Sequence, residues 1–407
     1  MLNPNVMREA TRLTRAGQLV EATALLQRML HGEAAPDTRF HISSDLTLTG
    51  SQPSIIEAKA EIITDRPLLS RASSAEPLMP RGSLHRAEGR SGLGRRGVTQ
   101  RAPLPAPDIR PEGAKFIAGT YSNSAGSRAY KLYIPSRCQG QPLPLVVMLH
   151  GCTQSPDDFA AGTRMNIVAE QQNCLVAYPA QNSQANPAKC WNWFRPTDQR
   201  RGQGEPSIIA GITRQIMRDC PVDPRRVYVA GLSAGAAAAL IMGAAYPDLY
   251  AAIGVHSGLA PGAAVDLPSA FVAMRQGGLA ASGESGDMSA IPGDGPAVPT
   301  IVFHGDRDIT VHPSNGDHII EQSKRTTRTQ KRVYRGWVQG GHAYTRTIHA
   351  DANGRAICEH WKIHGAGHAW SGGCPKGSYT DPRGPDATGE MLRFFLENTL
   401  PRQLQES

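Results

Sequence analysis

Residues 227–240, VYVAGLSAGAAAAL, constrain the fold more than any other stretch of the chain. An apolar, mostly β-favouring run meets Gly-Leu-Ser-Ala-Gly, and small helix-forming residues follow. The two glycines leave room for a sharp turn and for close packing of the helix, so the turn pushes the Ser233 hydroxyl out of the sheet. The helix aims its N-terminal N–H groups at the same place. The stretch therefore predicts a strand–turn–helix unit with a nucleophilic serine at the carboxyl end of a strand.

Strand and helix patterns alternate from about residue 109 onward. The strand candidates are 129–135, 144–151, 174–180, 226–233, 251–258 and 300–306, and the helical candidates are 158–172, 205–219, 234–246, 312–325 and 386–398. A DANG turn at 351–354 joins two further strand-like segments. Strands that are apolar along almost their whole length imply a mostly parallel, doubly wound sheet with helices on both faces. We therefore predict an α/β catalytic domain over residues 109–400.

Three further segments differ from this pattern. Residues 1–30 have helical periodicity with arginines opposite the apolar face, which predicts an amphipathic helix that lies on a surface or packs on its own domain. Residues 31–108 are rich in Ser, Pro, Gly and Arg, which predicts a mostly disordered linker with one short ordered patch near 54–64. Residues 259–298 interrupt the sheet, and form either a cap over the site or a surface excursion.

Charge and hydropathy limit the classes of partner. The net charge of +8 comes from 43 basic and 35 acidic residues. The chain has no dense basic run with interleaved aromatics, so we do not predict a nucleic-acid partner. The sequence contains no run of 18 apolar residues, so we predict no transmembrane helix. The N-terminus lacks the apolar core and cleavage site of a signal peptide, so we expect a cytoplasmic protein, with an extracellular location as the alternative.

A serine hydroxyl needs a base to take its proton and an acid to orient that base, in the chain order Ser, acid, His. TIVFHGDRDITV follows a later strand, and its HGxxD arrangement favours Asp308 as the acid, whereas Asp306 is expected to brace the turn. IHGAGHAWSGG offers the base. Small neighbours favour His368, whereas His364 belongs to the preceding strand and is expected to be structural.

An acyl-transfer site also needs two backbone N–H donors for the developing oxyanion. We expect one from Ala234, directly after the serine, and the other from Cys152 in the loop after VVMLHG. The Cys152 side chain is then either free or, in an oxidising compartment, paired with Cys190 in KCWNWF.

A metal site is the rival interpretation of the histidines. His360, His364 and His368, which Glu359 precedes, are spaced by four, so on a helix the three histidines would share one face and could bind zinc. Two glycines lie where that helix would have to continue, and the first half of the segment alternates as a strand does. We therefore predict no metal.

LHGCTQSPDDFA, AYPAQNSQANPAKCWNWF, GLSAG, FHGDRD and GAGHAWSGG together resemble the polyhydroxybutyrate (PHB) depolymerase family of esterases over roughly residues 112–398. The resemblance implies an α/β-hydrolase fold and a catalytic triad of Ser233, His368 and Asp308. It implies ester hydrolysis through an acyl-enzyme, with no cofactor. The substrates would be short-chain polyesters of 3-hydroxyacids, their oligomers or related small esters. We expect Trp370 and Trp191 near the substrate, with ordinary core packing as the alternative for Trp191.

Two alternatives to this function stay open. Feruloyl and acetylxylan esterases border on the same family, so a plant-derived ester is a second substrate class. A non-catalytic binder of granules or of an anionic polymer is a different class, although the complete Ser, Asp and His set argues against it. If the substrate is a storage polyester, the amphipathic segment 1–30 is expected to contact the granule surface.

Overall fold

The computed structural model describes residues 112–278, 298–324 and 327–401, together with the backbone of one strand in the N-terminal part. An eleven-stranded sheet runs through them in the order β1-β9-β10-β11-β8-β7-β6-β4-β5-β3-β2. The strands of this sheet are β1 (Ile55–Ile63), β2 (Lys115–Asn123), β3 (Gly126–Ile134), β4 (Leu143–Leu149), β5 (Leu175–Pro179), β6 (Val222–Leu232), β7 (Ala252–His256), β8 (Thr300–Gly305), β9 (Gln330–Val338), β10 (Ala343–Ala350) and β11 (Ala356–Ile363). A separate two-stranded sheet pairs β12 (Trp370–Ser371) with β13 (Thr380–Asp381).

Helices follow most of the central strands. Those of the described residues are α1 (Pro156–Thr163), α2 (Met165–Gln172), α3 (Gly204–Asp219), α4 (Ala234–Ala245), α5 (Leu267–Gln276), α6 (Ser314–Ser323) and α7 (Ala387–Leu396). Six central strands, from β11 through β8, β7, β6 and β4 to β5, are parallel to one another. Antiparallel strands extend the sheet at both ends.

Alternating side chains of the central strands build two cores. On β4, Leu145 and Val147 pack on one face of the sheet, with residues of α3, α4 and α6. Val146 and Met148 pack on the other face, with residues of α1, α2 and α7. All four side chains are fully buried. The sheet is therefore covered on both faces, and the predicted doubly wound, mostly parallel architecture is confirmed.

Some boundaries differ from the sequence prediction. The helix predicted over 158–172 is two helices, because Arg164 adopts a left-handed conformation between α1 and α2. Strands β2 and β9 were not predicted; both are partly exposed and lack the apolar run that marks the central strands.

The expected ordered patch near 54–64 is the strand β1, which pairs with β9 at one edge of the sheet. The helix predicted over 1–30 and the rest of the linker predicted over 31–108 lie outside the described residues. Within the predicted insertion 259–298, the structure describes α5, which begins at an Asp266 capping box. Ala270 and Ala273 of α5 belong to the same apolar cluster as Ala234 at the start of α4.

Among the helices that the structure describes, none is both long enough and apolar enough to cross a bilayer.

Candidate active site

Ser233 lies at the turn between β6 and α4 in an unusual backbone conformation, with φ 56° and ψ −121°. A non-glycine residue rarely holds a positive φ unless its surroundings enforce it. Here the Ser233 N–H donates to the carbonyl of His256 at the end of β7, over 2.9 Å. A Cβ on Gly235 would lie 2.0 Å from the Leu149 carbonyl oxygen, and one on Gly231 would lie 2.3 Å from the Gly235 carbonyl carbon. Both glycines are therefore required by the close approach of α4 to the sheet.

Asp308, in the loop after β8, contacts His368, in the loop after β11. The His368 Nδ1 lies 2.7 Å from Asp308 Oδ2, and the N–H groups of Thr310 and Val311 each donate to Oδ1 over 2.9 Å. The carboxylate is fully buried and the imidazole is 11% exposed. Burial alone would raise the pKa of Asp308, but hydrogen bonds from His304 and His368 hold the pKa well below its ordinary value. Asp308 is therefore a fixed anion that orients the imidazole.

The neighbouring acid and imidazole form a second pair. Asp306 Oδ2 lies 2.9 Å from His364 Nδ1, and Asp306 Oδ1 accepts the Gly365 N–H over 2.7 Å. This pair joins the start of the loop after β8 to the end of β11. It matches the bracing role that the sequence predicts for Asp306 and the structural role predicted for His364.

The topology brings these groups to one edge. Strands β6, β7, β8 and β11 are consecutive and parallel, and their carboxyl ends carry Ser233, His256, Asp308 and His368 in that order. Reactive groups collect at this edge of an open parallel sheet. A serine on a strained turn, together with an imidazole held by a buried carboxylate, can activate a hydroxyl for attack on a carbonyl carbon.

Two backbone N–H groups are available near the serine. Within the described ranges, the N–H groups of Cys152 and Ala234 have no hydrogen-bond partner, whereas those on both sides of Cys152 do. Gly151 donates to the Gln154 side chain over 2.9 Å, and Thr153 donates to the Ala188 carbonyl over 2.7 Å. Ala234 is the first residue of α4, where N–H groups lack intrahelical acceptors. Both predicted donors are thus free to bind an anionic oxygen.

A disulfide joins Cys152 to Cys190, which ties the loop after β4 to the segment 181–194. A buried carboxylate holds that segment in turn. Glu205 Oε2 accepts the Asn192 N–H over 2.7 Å, and its Oε1 pairs with Arg128 at 3.3 Å. Burial raises the pKa of Glu205, although several donors oppose the shift. The arginine and the hydrogen bonds compensate for burying this group.

Two buried histidines near the strand ends are neutral supports. His150 Nδ1 donates to the Gly151 carbonyl over 2.8 Å, and its Nε2 accepts the Gln181 N–H over 3.0 Å. His256 Nε2 accepts the Ser371 N–H over 3.0 Å. Burial lowers the pKa of His150 to about 4 and that of His256 to about 3. Each ring therefore acts as a fixed acceptor that connects two loops.

The two predicted substrate tryptophans are both in the core. Trp191 is fully buried and donates its indole N–H to the His150 carbonyl over 3.1 Å. Trp370 is 1% exposed, donates to Thr388 over 2.9 Å and stacks on His256 with ring centroids 5.2 Å apart. Neither ring has surface left for a substrate in this structure. For Trp191 this is the core packing given as the alternative, and for Trp370 the placement argues against a pocket wall.

The arrangement that a zinc site would need is not formed. Glu359 and His360 lie on strand β11, so their side chains point to opposite faces of the sheet. Glu359 binds Arg346 and Arg393, and His364 binds Asp306. In the described part of the chain, no three His, Cys, Asp or Glu side chains form a group that could hold a metal ion.

Sequence reasoning missed His256, His304 and the Glu205 network. A polar residue at the carboxyl end of an apolar parallel strand is a signal that could have identified the two histidines, in GVHSG and VFHGD. The burial of Glu205 and its contact with Arg128 give no such signal, because 77 residues separate them in the chain.

The family described as Esterase PHB depolymerase matches residues 128–330. Over 294 residues the chain is 32% identical to poly(3-hydroxyalkanoate) depolymerase C of Paucimonas lemoignei. The aligned region covers 70% of this chain and 69% of that protein. It is 29% identical to the acetylxylan esterase of Coprinopsis cinerea, over 55% of this chain and 60% of that protein.

A solved structure shows the same fold. The acetyl xylan esterase from Aspergillus awamori superposes with a TM-score of 0.51 at 20% identity, over 70% of this chain and 99% of that one. The predicted α/β-hydrolase fold is thereby confirmed. With the match to the depolymerase over two thirds of both chains, the protein belongs to the Esterase PHB depolymerase family of carboxylic ester hydrolases.

Proposed function

We propose that the chain is a serine esterase that works through an acyl-enzyme. Ser233 Oγ attacks the ester carbonyl carbon while His368 takes the hydroxyl proton, and the proton then passes to the departing alcohol. Water, deprotonated by the same imidazole, releases the acid and restores Ser233. The observation that carries the proposal is the buried 2.7 Å contact between Asp308 and His368 at the edge where Ser233 lies on its strained turn.

The oxyanion of both tetrahedral intermediates is assigned to the N–H groups of Cys152 and Ala234. Both lack partners within the described residues, and the Cys152–Cys190 disulfide fixes the loop that carries one of them. Donors that are in place before the reaction stabilise developing charge without reorganisation.

The proposed substrates are poly(3-hydroxyalkanoate) esters, above all poly(3-hydroxybutyrate), or their oligomers. The family match and the depolymerase relative support this class. A feruloyl or acetylxylan ester is the second candidate, supported by the acetylxylan esterase relative.

Hydrolysis of p-nitrophenyl butyrate by the wild type and by Ser233→Ala, each with and without EDTA, tests the mechanism. We expect the variant to lose about 10⁴-fold or more in kcat and EDTA to have no effect. A variant that retains its rate, or a wild type that EDTA inhibits, would refute Ser233 as the nucleophile and reopen the metal interpretation. An inactive wild type would favour the non-catalytic binder. Comparing trimers of 3-hydroxybutyrate, amorphous polymer, acetylated xylan and methyl ferulate then identifies the substrate class.

We also infer that residues 1–30 bring the enzyme to a polyester surface, because their sequence has an apolar face with arginines on the opposite sides of the helix. Deleting 1–30 leaves β1 in place. The deletion should abolish sedimentation with polymer granules and leave p-nitrophenyl butyrate hydrolysis unchanged. Unaltered sedimentation would refute this role.

For the location of the protein, we propose the extracellular alternative over the cytoplasm. The Cys152–Cys190 disulfide supports it, because such bonds persist in oxidising compartments. Alkylation and mass spectrometry of the protein from its native source should find both cysteines protected; free thiols would point to the cytoplasm.

A further inference from the structure

A second imidazole contacts the buried carboxylate behind the proposed base. His304, the penultimate residue of β8, is 1% exposed. Its Nε2 lies 2.9 Å from the Val311 carbonyl oxygen and 3.4 Å from Asp308 Oδ2, the oxygen that also faces His368. Both neighbours of Nε2 only accept hydrogen bonds, so Nε2 carries the proton and donates to them. In the tautomer with the proton on Nε2, Nδ1 is an acceptor.

A second acceptor lies close to that nitrogen. His360 on β11 is nine-tenths buried, and its Nδ1 faces Asp317 Oδ1 at 3.6 Å. Burial lowers the pKa of His360, so the ring is neutral at pH 7. The carboxylate favours the proton on Nδ1, which leaves Nε2 as an acceptor. His304 Nδ1 and His360 Nε2 are both buried and have no partner among the described residues.

Gly316 of α6 separates the two nitrogens. A Cβ at Gly316 would lie 3.0 Å from His304 Nδ1 and 3.1 Å from His360 Nε2. The two acceptors are therefore no more than about 6 Å apart, and this upper bound is close to the longest span of one water that donates two hydrogen bonds of about 2.8–3.0 Å. Buried acceptors without a donor are costly, so such a pair calls for a shared partner.

We propose that a water molecule bound beside Gly316 donates to both imidazoles, and that His304, so fixed, is a positioning residue for Asp308. The chain of contacts runs from Asp317 through His360, the water and His304 to Asp308. The inference rests on the proposed esterase function, because its effect reaches the reaction through His368.

The site borders a cleft whose charged groups lie near His360. Asp317 is half exposed and lies with His360 in a cleft of about 300 Å³ between α6 and strands β9–β11. The other charged or titratable groups of the cleft are Glu321, Lys324, Lys331, His349 and Lys362. His256 on β7 interacts electrostatically with His304, although its ring stacks on Phe303 on the other face of the sheet.

In the positioning role, His304 helps to fix the Asp308 carboxylate, both of whose oxygens have donors. Backbone N–H groups fix Oδ1, and His304 and His368 share Oδ2. If the His304 donor is lost, Oδ2 can rotate away from the base. The expected effect is on turnover and not on ester binding, since His304 is buried behind the carboxylate.

Paired substitutions at His304 test this role. The amide nitrogen of Gln can occupy the place of Nε2 and donate, whereas Leu cannot. We expect His304→Leu to lower kcat on p-nitrophenyl butyrate about 10- to 100-fold with KM within twofold, the effect of a misplaced reacting group. His304→Gln should restore kcat to within about threefold of the wild type. Equal kcat values in the two variants would overturn the positioning role.

Gly316→Ala tests the water site without altering an imidazole. Alanine is the better helix former, so helix propensity alone predicts a more stable protein. Displacement of the water predicts the reverse, namely a lower melting temperature and a several-fold lower kcat. The contact of the new Cβ with the two rings, at 3.0 and 3.1 Å, acts in the same direction, so the decisive outcome is the one that excludes both. A more stable, fully active Gly316→Ala would overturn the water site. Lys331→Gln, in the same cleft, is the control and should change neither quantity.

The two levels of failure are distinguishable. If Ser233→Ala keeps its rate, the proposed function fails and the His304 results have no catalytic meaning. If Ser233→Ala is inactive while His304→Leu matches the wild type, the function stands and the positioning role is wrong. Should His304→Leu fail to fold, Gly316→Ala and His304→Gln still decide the question.

Discussion

Two Asp–His pairs lie side by side at the carboxyl edge of the sheet and differ mainly in their surroundings. Asp308 and His368 are 60 residues apart in the chain, and Asp306 and His364 are 58 apart. In each pair, a carboxylate oxygen faces Nδ1, at 2.7 and 2.9 Å. The exposed fractions are 0% and 11% in the first pair, against 32% and 42% in the second.

The difference shows that geometry alone does not identify a catalytic pair. Water screens the outer pair, and an exposed ion pair contributes little energy. The inner carboxylate is dry, and four donors from protein groups converge on it. A fixed anion in a dry site acts strongly on the ring beside it. The inner pair is therefore suited to orient a base, and the outer pair to fasten two loops.

The largest expected difference between the pairs is in turnover. Asp308→Asn should lower kcat on p-nitrophenyl butyrate by about 10³- to 10⁴-fold, because the amide no longer stabilises the charged imidazole or its tautomer. The matched variant Asp306→Asn should stay within about threefold of the wild type. Similar losses in both variants would mean that the outer pair takes part in the reaction.

The loop contact that serves both pairs gives the next largest effect. A Cβ on Gly305 would lie 2.3 Å from the Ala366 carbonyl oxygen, so the loop that carries His368 would have to move. Gly305→Ala should lower kcat by roughly 10²-fold and the free energy of unfolding by about 1–3 kcal/mol.

Gly367→Ala is the control in the same loop, since its added Cβ would meet no heavy atom within 4 Å. Urea denaturation and steady-state kinetics on both variants provide the test. A Gly305→Ala enzyme as active as Gly367→Ala would show that the loop contact does not set the distance between acid and base.

Sequence patterns predicted the parts of the fold that follow from periodicity. The central strands are apolar on both faces, and the turn at Ser233 depends on glycines whose close contacts the structure shows. Strands β2 and β9 were missed because one face of each is exposed, which removes the apolar run. The break at Arg164 was missed because a left-handed arginine has no sequence signature.

The candidate site was predictable only where a motif carries it. GLSAG and HGxxD selected Ser233 and Asp308, and the small neighbours Gly367 and Ala369 selected His368 over His364. Burial is a property of the folded chain, so sequence could not place Trp370 in the core. The contact between His304 and Asp308 likewise depends on how the loop after β8 folds back on its own strand.

A third imidazole at this edge, His256, extends the comparison to stability. Burial lowers the pKa of His256 to about 3 and that of His150 to about 4, against an ordinary value near 6.5. Below pH 6.5 the unfolded chain therefore binds protons that the folded chain does not. The free energy of unfolding consequently decreases as the pH is lowered. The loss at pH 5 should be about 2 kcal/mol for each ring.

Guanidinium denaturation at pH 7.5, 6 and 5 measures this loss. His256→Gln keeps an acceptor for the Ser371 N–H but cannot be protonated, so it should remove roughly half of the combined loss between pH 6.5 and 5. An unchanged pH dependence in this variant would mean that His256 is not a neutral, buried ring in the folded protein.

The smallest expected effect belongs to the outer pair itself. Its members are exposed by a third or more, and Asp306 keeps the Gly365 N–H as a partner when His364 is replaced. His364→Gln should lower the free energy of unfolding by less than about 1 kcal/mol, and 1 M salt should reduce the difference further. A double-mutant cycle with Asp306→Asn isolates the coupling between the two side chains. Coupling well above about 1 kcal/mol, or a fall in kcat along the cycle, would mean that water does not screen this pair and that burial does not separate the two pairs.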